Sequence, residues 1–132
     1  MINKDVLMHE LGHAKDYQRF GKTKAYVGAI GRSGIFTLGT AAALSNEKTR
    51  DYAPAVAAIP GAIALRSEGA ANYHAYKGIK AHKGGKAANK FLKTLARNNM
   101  THYGLAAAAP VAAAYAGKKI LDKLSPRKGK EG

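Results

Sequence analysis

Cysteine and tryptophan are absent from the 132 residues. Without cysteine there is no disulfide framework, no thiolate metal site and no cysteine nucleophile. Acidic residues are scarce too: 8 Asp plus Glu stand against 22 Lys plus Arg, a formal net charge of +14. Such an imbalance draws anionic partners, whether a bilayer, an acidic surface or nucleic acid, and carries no information on fold. β-Branched residues are sparse and scattered while alanine is abundant, which argues against strands and for helices. There is neither a repeat of solenoid length nor a glycine-rich phosphate loop. Charge arrives early, at Lys4, Asp5 and Glu10, so no cleavable signal is expected and any membrane insertion falls to internal segments.

What is there reads as a single all-α domain over 1–117, followed by a basic tail over 118–132 that is expected to fray. Residues 4–20 form the first predicted helix, capped by Asn3 and stopped by Gly21. Leu7 and Leu11 recur at i, i+4 and suit a core face, whereas His9, His13 and Asp16 share a second face. An apolar stretch over 25–44, interrupted by Arg32, is just long enough to cross a bilayer core of ~30 Å. A neutral loop over 45–51 leads to a shorter apolar run over 52–65, in which Pro54 and Pro60 oppose a straight helix. A further helix is predicted over 61–78, and Gly84 and Gly85 break the chain after it. Residues 86–98 read as an amphipathic helix, with Ala88, Phe91, Leu92 and Leu95 opposite Lys86, Lys90, Lys93 and Arg97. A third apolar run over 103–117 contains Pro110.

The residues that carry chemistry are His9-Glu10-Leu11-Gly12-His13, an H-E-x-x-H on the first helix. Imidazoles four apart project from adjacent turns of one face, so both can reach one Zn²⁺ at ~2.0–2.1 Å. Glu10 is turned aside from the metal yet within reach of a metal-bound water, where a carboxylate serves as general base. The motif is short: in a chain of this composition, shuffling alone would produce it roughly once in two hundred sequences. Asp16 either holds a ligand imidazole by a hydrogen bond or is an ordinary surface carboxylate. A third ligand must come from downstream, where Asp51, Glu68, His74, His82 and His102 are the candidates. Glu68 is the best placed, in a helical stretch broken only by Gly69, and a carboxylate there leaves the fourth position open to water. Pairing with Arg66 or a lysine on a solvated face is the plainer role for the same residue.

With H-E-L-G-H, two apolar runs and then Glu68-Gly69-Ala70-Ala71-Asn72, the chain resembles the membrane gluzincins over about residues 5–76. That family includes the heat-shock membrane zinc protease of bacteria and the type I CAAX prenyl endopeptidases, and it carries a zinc-ligand Glu in an E-x-x-A-D pattern. The resemblance implies His9, His13 and Glu68 as zinc ligands and Glu10 as catalytic base. It further implies a zincin-like H-E-x-x-H helix, then an apolar helical hairpin, a ligand helix and a basic amphipathic helix. Two departures stand out. Asn72 replaces the family's Asp, so its contact with the site becomes an amide hydrogen bond. Only eight residues precede His9, whereas zincins carry a substrate-binding edge strand upstream, so that surface is expected elsewhere or in a partner protein.

The expected function is a small zinc-dependent membrane metallopeptidase acting on a peptide or membrane-protein substrate. The alternative is a non-catalytic basic protein, membrane-inserting or assembly-forming as in a viral particle, whose zinc site is structural or vestigial. Residues 66–101 hold eight basic groups against Glu68, so a hairpin of the first two apolar runs leaves zinc site and basic helix on the cytoplasmic side. Arg32 opposes this by ~2.5–3.5 kcal/mol if held within a span, and an alanine-rich soluble bundle is the competing architecture. An anionic bilayer suits the basic helix better than nucleic acid, for which no specific module is present.

Overall fold

The computed structural model describes residues 3–125, and these are almost entirely helical with no strand among them. Five α-helices follow in order: α1 (Lys4–Arg32), α2 (Ile35–Ser45), α3 (Ala53–Lys83), α4 (Gly85–Phe91) and α5 (Arg97–Leu124). A 3₁₀ turn (Arg50–Tyr52) precedes α3, and a π turn (Leu92–Ala96) joins α4 to α5. Helix α3 is the spine, against which α1 and α5 both pack along much of their length.

Local chemistry explains several boundaries. Asn3 caps α1, its Oδ1 accepting from the Asp5 N–H at 2.9 Å. Gly84 separates α3 from α4 with φ 86, outside the range other residues adopt freely. Elsewhere tertiary packing overrides the local signals. Gly21 does end the first helical segment, with φ 47 and ψ −122, but a second segment follows directly across the kink and carries α1 on to Arg32. Pro60 and Pro110 lie inside α3 and α5, so the separate segments read at 52–65 and 61–78 are one helix of 31 residues. The basic segment from Lys118 is not frayed at its start: α5 continues to Leu124, held by Lys118–Asp51 at 3.0 Å and Arg50–Asp122 at 2.9 Å. The remainder of the predicted tail lies outside the described residues.

The interior is built on alanine. One cluster joins Ala75 and Ile79 of α3 to Ala88, Phe91 and Ala96 beyond the Gly84 break. Another joins Ala53 and Ala57 to Ala114. Ala88 and Phe91 are buried as the amphipathic pattern predicted, but Leu92 on that face is 43% exposed. Leu7 and Leu11 are also half exposed, because α1 turns its His9–His13 face to α3 in their place. Among the described residues no single helix is long and apolar enough to cross a membrane. The segments Gly21–Arg32 and Ile35–Ser45 meet that test only as a pair bent by 49°. Arg32 stands at the bend, exposed in the last turn of α1, where a cation suits the helix dipole.

Candidate metal centre

His9 and His13 lie one turn apart on α1, and Glu68 faces them from α3. The close approach of the two helices depends on Gly12, between the histidines. A Cβ there would sit against the Ala71 carbonyl oxygen well inside van der Waals contact, and at 3.0 Å from Ala71 C and Cα. Only the missing side chain lets α1 come near enough for its imidazoles to reach the carboxylate.

His9 Nε2 stands 3.0 Å from Glu68 Oε2, and His13 Nε2 stands 3.3 Å from Oε1. The two imidazole centroids are 4.8 Å apart with their rings perpendicular. One ligand atom from each of the three residues can be chosen so that all lie within 4.8 Å of one another. Atoms bound to a tetrahedral zinc at ~2.0–2.1 Å are themselves roughly 3.3 Å apart, so the spacing fits. The Glu68 Oε2 atom is buried and accepts no hydrogen bond, although an imidazole nitrogen is only 3.0 Å away. At 3.0 Å the pair can be bridged by a proton on His9 Nε2 or by a cation that both atoms ligate. A buried anion in that position is costly unless a cation meets it.

The surrounding contacts orient the ligands. His9 Nδ1 is 2.8 Å from Asn72 Oδ1 in a buried contact, so an amide touches the ring on the side away from Glu68. Asn72 Nδ2 in turn donates to Asn99 Oδ1 at 3.2 Å, tying α3 to α5. Tyr103, one turn beyond Asn99, lies beside Glu68. The charge of Glu68, burial, a hydrogen bond to Glu68 and the charge of Glu10 all push its phenol above the usual tyrosine range. Glu10 is exposed and near enough to be felt at Tyr103. Neither Asn99 nor Tyr103 was singled out in the sequence. The only signal they offer is their i, i+4 spacing on one helix face, and that spacing is common.

Asp16 is buried but engaged elsewhere. It is in contact with Lys24 Nζ, and Arg66 approaches to 3.7 Å. Burial pushes its carboxyl up, but the Lys24 hydrogen bond and the charges of Lys24, Arg66 and His74 outweigh this and hold it below the usual aspartate range. The other downstream candidates have different surroundings: Asp51 pairs with Lys118, while His74 and His102 lie edge-on to Tyr73 and Tyr103. His82 is exposed near the end of α3.

The centre opens on a groove of about 1030 Å³ between α1 and α3. His13, Glu68 and Tyr103 line it together with apolar residues such as Val27 and Ile63, and with the cations Lys24 and Arg66. No family profile, curated protein or solved structure matches the chain.

Proposed function

We propose that the chain is a zinc-dependent peptidase, with His9, His13 and Glu68 as ligands and Glu10 as general base. The observation that carries this reading is the convergence of the three side chains around a buried carboxylate oxygen with no hydrogen-bond donor. Zinc bound there would supply a Lewis acid and a water of lowered pKa. Glu10 accepts the proton of the attacking water and passes it to the leaving amine. Tyr103, whose phenol is hydrogen-bonded to Glu68, holds that ligand in place. The groove between α1 and α3 holds the substrate and stands in for the edge strand that zincins carry upstream. Its apolar lining favours a peptide segment with aliphatic side chains.

Membrane association belongs to the same proposal. Helix α2 is apolar along its length yet has no buried residue, and Ile35 and Leu38 are exposed at 57% and 72%. Tyr26 and Leu105, at about 70% each, are further apolar residues open to lipid. An anionic bilayer accounts for both the apolar surface and the cations of α3 and α4, with the metal centre on the cytoplasmic side. The second reading, a basic assembly or membrane protein with zinc as a staple, draws support from the way the site joins α1, α3 and α5 through buried contacts.

Elemental analysis and a peptide-cleavage assay test the proposal together. Wild type should hold about one zinc per chain, and His13→Ala should lose it, because two ligands do not retain a site of this kind. Glu10→Gln should keep zinc and thermal stability while cleavage falls by ~10²-fold or more. Full zinc in His13→Ala would remove the metal site. Cleavage undiminished in Glu10→Gln would remove the base, and zinc without any cleavage by wild type would favour the staple.

A further inference from the structure

The groove between α1 and α3 has two unlike ends. Beside the metal centre, Ser67 and Tyr103 bring hydroxyls, and Lys24 and Arg66 bring charge. About 7–8 Å further along α3, at Ile63, the lining changes character. Val27, Gly28, Gly31, Pro60, Ile63 and Ala64 have no polar side-chain atom, and their backbone runs within the two helices. A peptide laid there would bring an N–H and a C=O with each residue and find few partners for them. An alkyl chain brings neither.

One cation stands at this apolar end. Arg32, in the last turn of α1, is exposed and lines the groove at its mouth. Its guanidinium lies back along the helix over Gly28, where a Cβ would meet Nη1 at 3.2 Å. The other two cations of the groove are engaged by Asp16, which pairs with Lys24 and which Arg66 approaches to 3.7 Å. The Arg32 side chain has no acid partner among the described residues. A guanidinium in that position suits an anion from outside, and its planar fork matches the oxygens of a phosphate two at a time. Just beyond it, Ile35 and Leu38 of α2 are exposed, so the mouth opens beside a surface suited to lipid. The groove holds about 1030 Å³, at the upper end of the ~300–1,000 Å³ usual for small-molecule sites, which leaves room for a chain as well as a head group. We propose that the apolar end of the groove binds one anionic phospholipid, with its phosphate on Arg32 and an acyl chain between Val27 and Ile63. This site is separate from the metal and peptidase reading, which concerns the other end.

Titration of the full chain with short-chain phosphatidic acid, kept below the concentration at which it forms micelles, tests the site without requiring a bilayer. Wild type should take up one lipid per chain and bind it ~10-fold or more tightly than phosphatidylcholine of the same chain length, as expected of a charge-assisted pair. Arg32→Gln should erase that preference, while the weaker binding of phosphatidylcholine remains. Val27→Phe, at a position 40% exposed, should fill the apolar end and weaken both lipids. Lys119→Gln removes an equal charge from an exposed site on α5 and should leave the preference intact. Inorganic phosphate should not displace the lipid, since it brings no chain to bury. A preference that survives Arg32→Gln, or that Lys119→Gln abolishes equally, would overturn the proposal, as would lipid binding unchanged in Val27→Phe. Displacement of phosphatidic acid by a hydrophobic peptide that binds more tightly would assign the apolar end to peptide instead.

Discussion

A buried carboxylate needs partners, and Asp16 and Glu68 find different ones. Asp16 is enclosed by cations, and the ion pair with Lys24 dominates its surroundings. Because its folded pKa lies below the unfolded value of ~3.9, its contribution is present above that value and is lost as pH falls through the folded pKa. Asp16→Asn should therefore lower stability near neutrality by about 1–3 kcal/mol, the usual cost of an unmet buried partner. It should also flatten the loss of stability below about pH 4, because the variant has no such group to protonate. Unfolding curves at a series of pH values check this, and parallel acid limbs in both proteins would refute it. Glu68, by contrast, has one oxygen with no donor, which sets it apart as a ligand. Glu68→Gln should weaken zinc binding in equilibrium titrations, since a neutral amide is a poor replacement for an anionic ligand; unchanged affinity would exclude Glu68 from the coordination sphere.

The meeting of α1 with α3 is the element-scale event on which the centre depends. Gly12 permits it, and Gly12→Ala should force the two helices apart. The expected cost is about 1–3 kcal/mol of overpacking, with a parallel fall in zinc affinity as His9 and His13 withdraw from Glu68. Gly104 in α5 is the matched control, since a Cβ there meets nothing within 4 Å. Gly104→Ala should be neutral or stabilise by up to ~1 kcal/mol through helix propensity. Chemical denaturation with zinc titration distinguishes the two, and equal behaviour would mean that the α1–α3 approach does not limit the site. Periodicity located Ala88 and Phe91 in the core, and residue type placed Asn3 at a cap. It misplaced Leu7 and Leu11, because α1 has more than one apolar stripe and the stripe chosen depends on what α3 offers opposite.

For the whole molecule, charge and apolar exposure act together. An electrostatic attachment of a +14 chain is screened at 1 M salt, where the Debye length is ~3 Å, whereas inserted apolar helices are unaffected. The protein should sediment with membranes and stay there through a high-salt wash, then leave with detergent. Release by salt alone would reduce the interaction to a peripheral one and leave the bent α1–α2 pair without lipid contact. Arg50 ties the 3₁₀ turn before α3 to the end of α5. Buried to 4% exposure, it donates to the Leu44 carbonyl at 3.0 Å and to Asp122 at 2.9 Å, pinning the end of α5.

Composition and spacing determined the helical class, the pairing of two imidazoles on one face and the basic character of residues 66–101. These follow from short-range geometry, since 3.6 residues per turn make neighbours of i and i+4 in any helix. They also narrowed the third donor to five downstream residues, with Glu68 favoured by its setting and by the gluzincin resemblance. Tertiary structure alone decided that Glu68 faces the histidines, that Asp16 turns to Lys24, and that Asn99 and Tyr103 reach the centre from α5. Those contacts join residues far apart in the chain, and their register depends on one bare backbone crossing at Gly12 and one π turn before Arg97. Each is a sum of packing terms spread over two or three helices, so no single segment of sequence contains it.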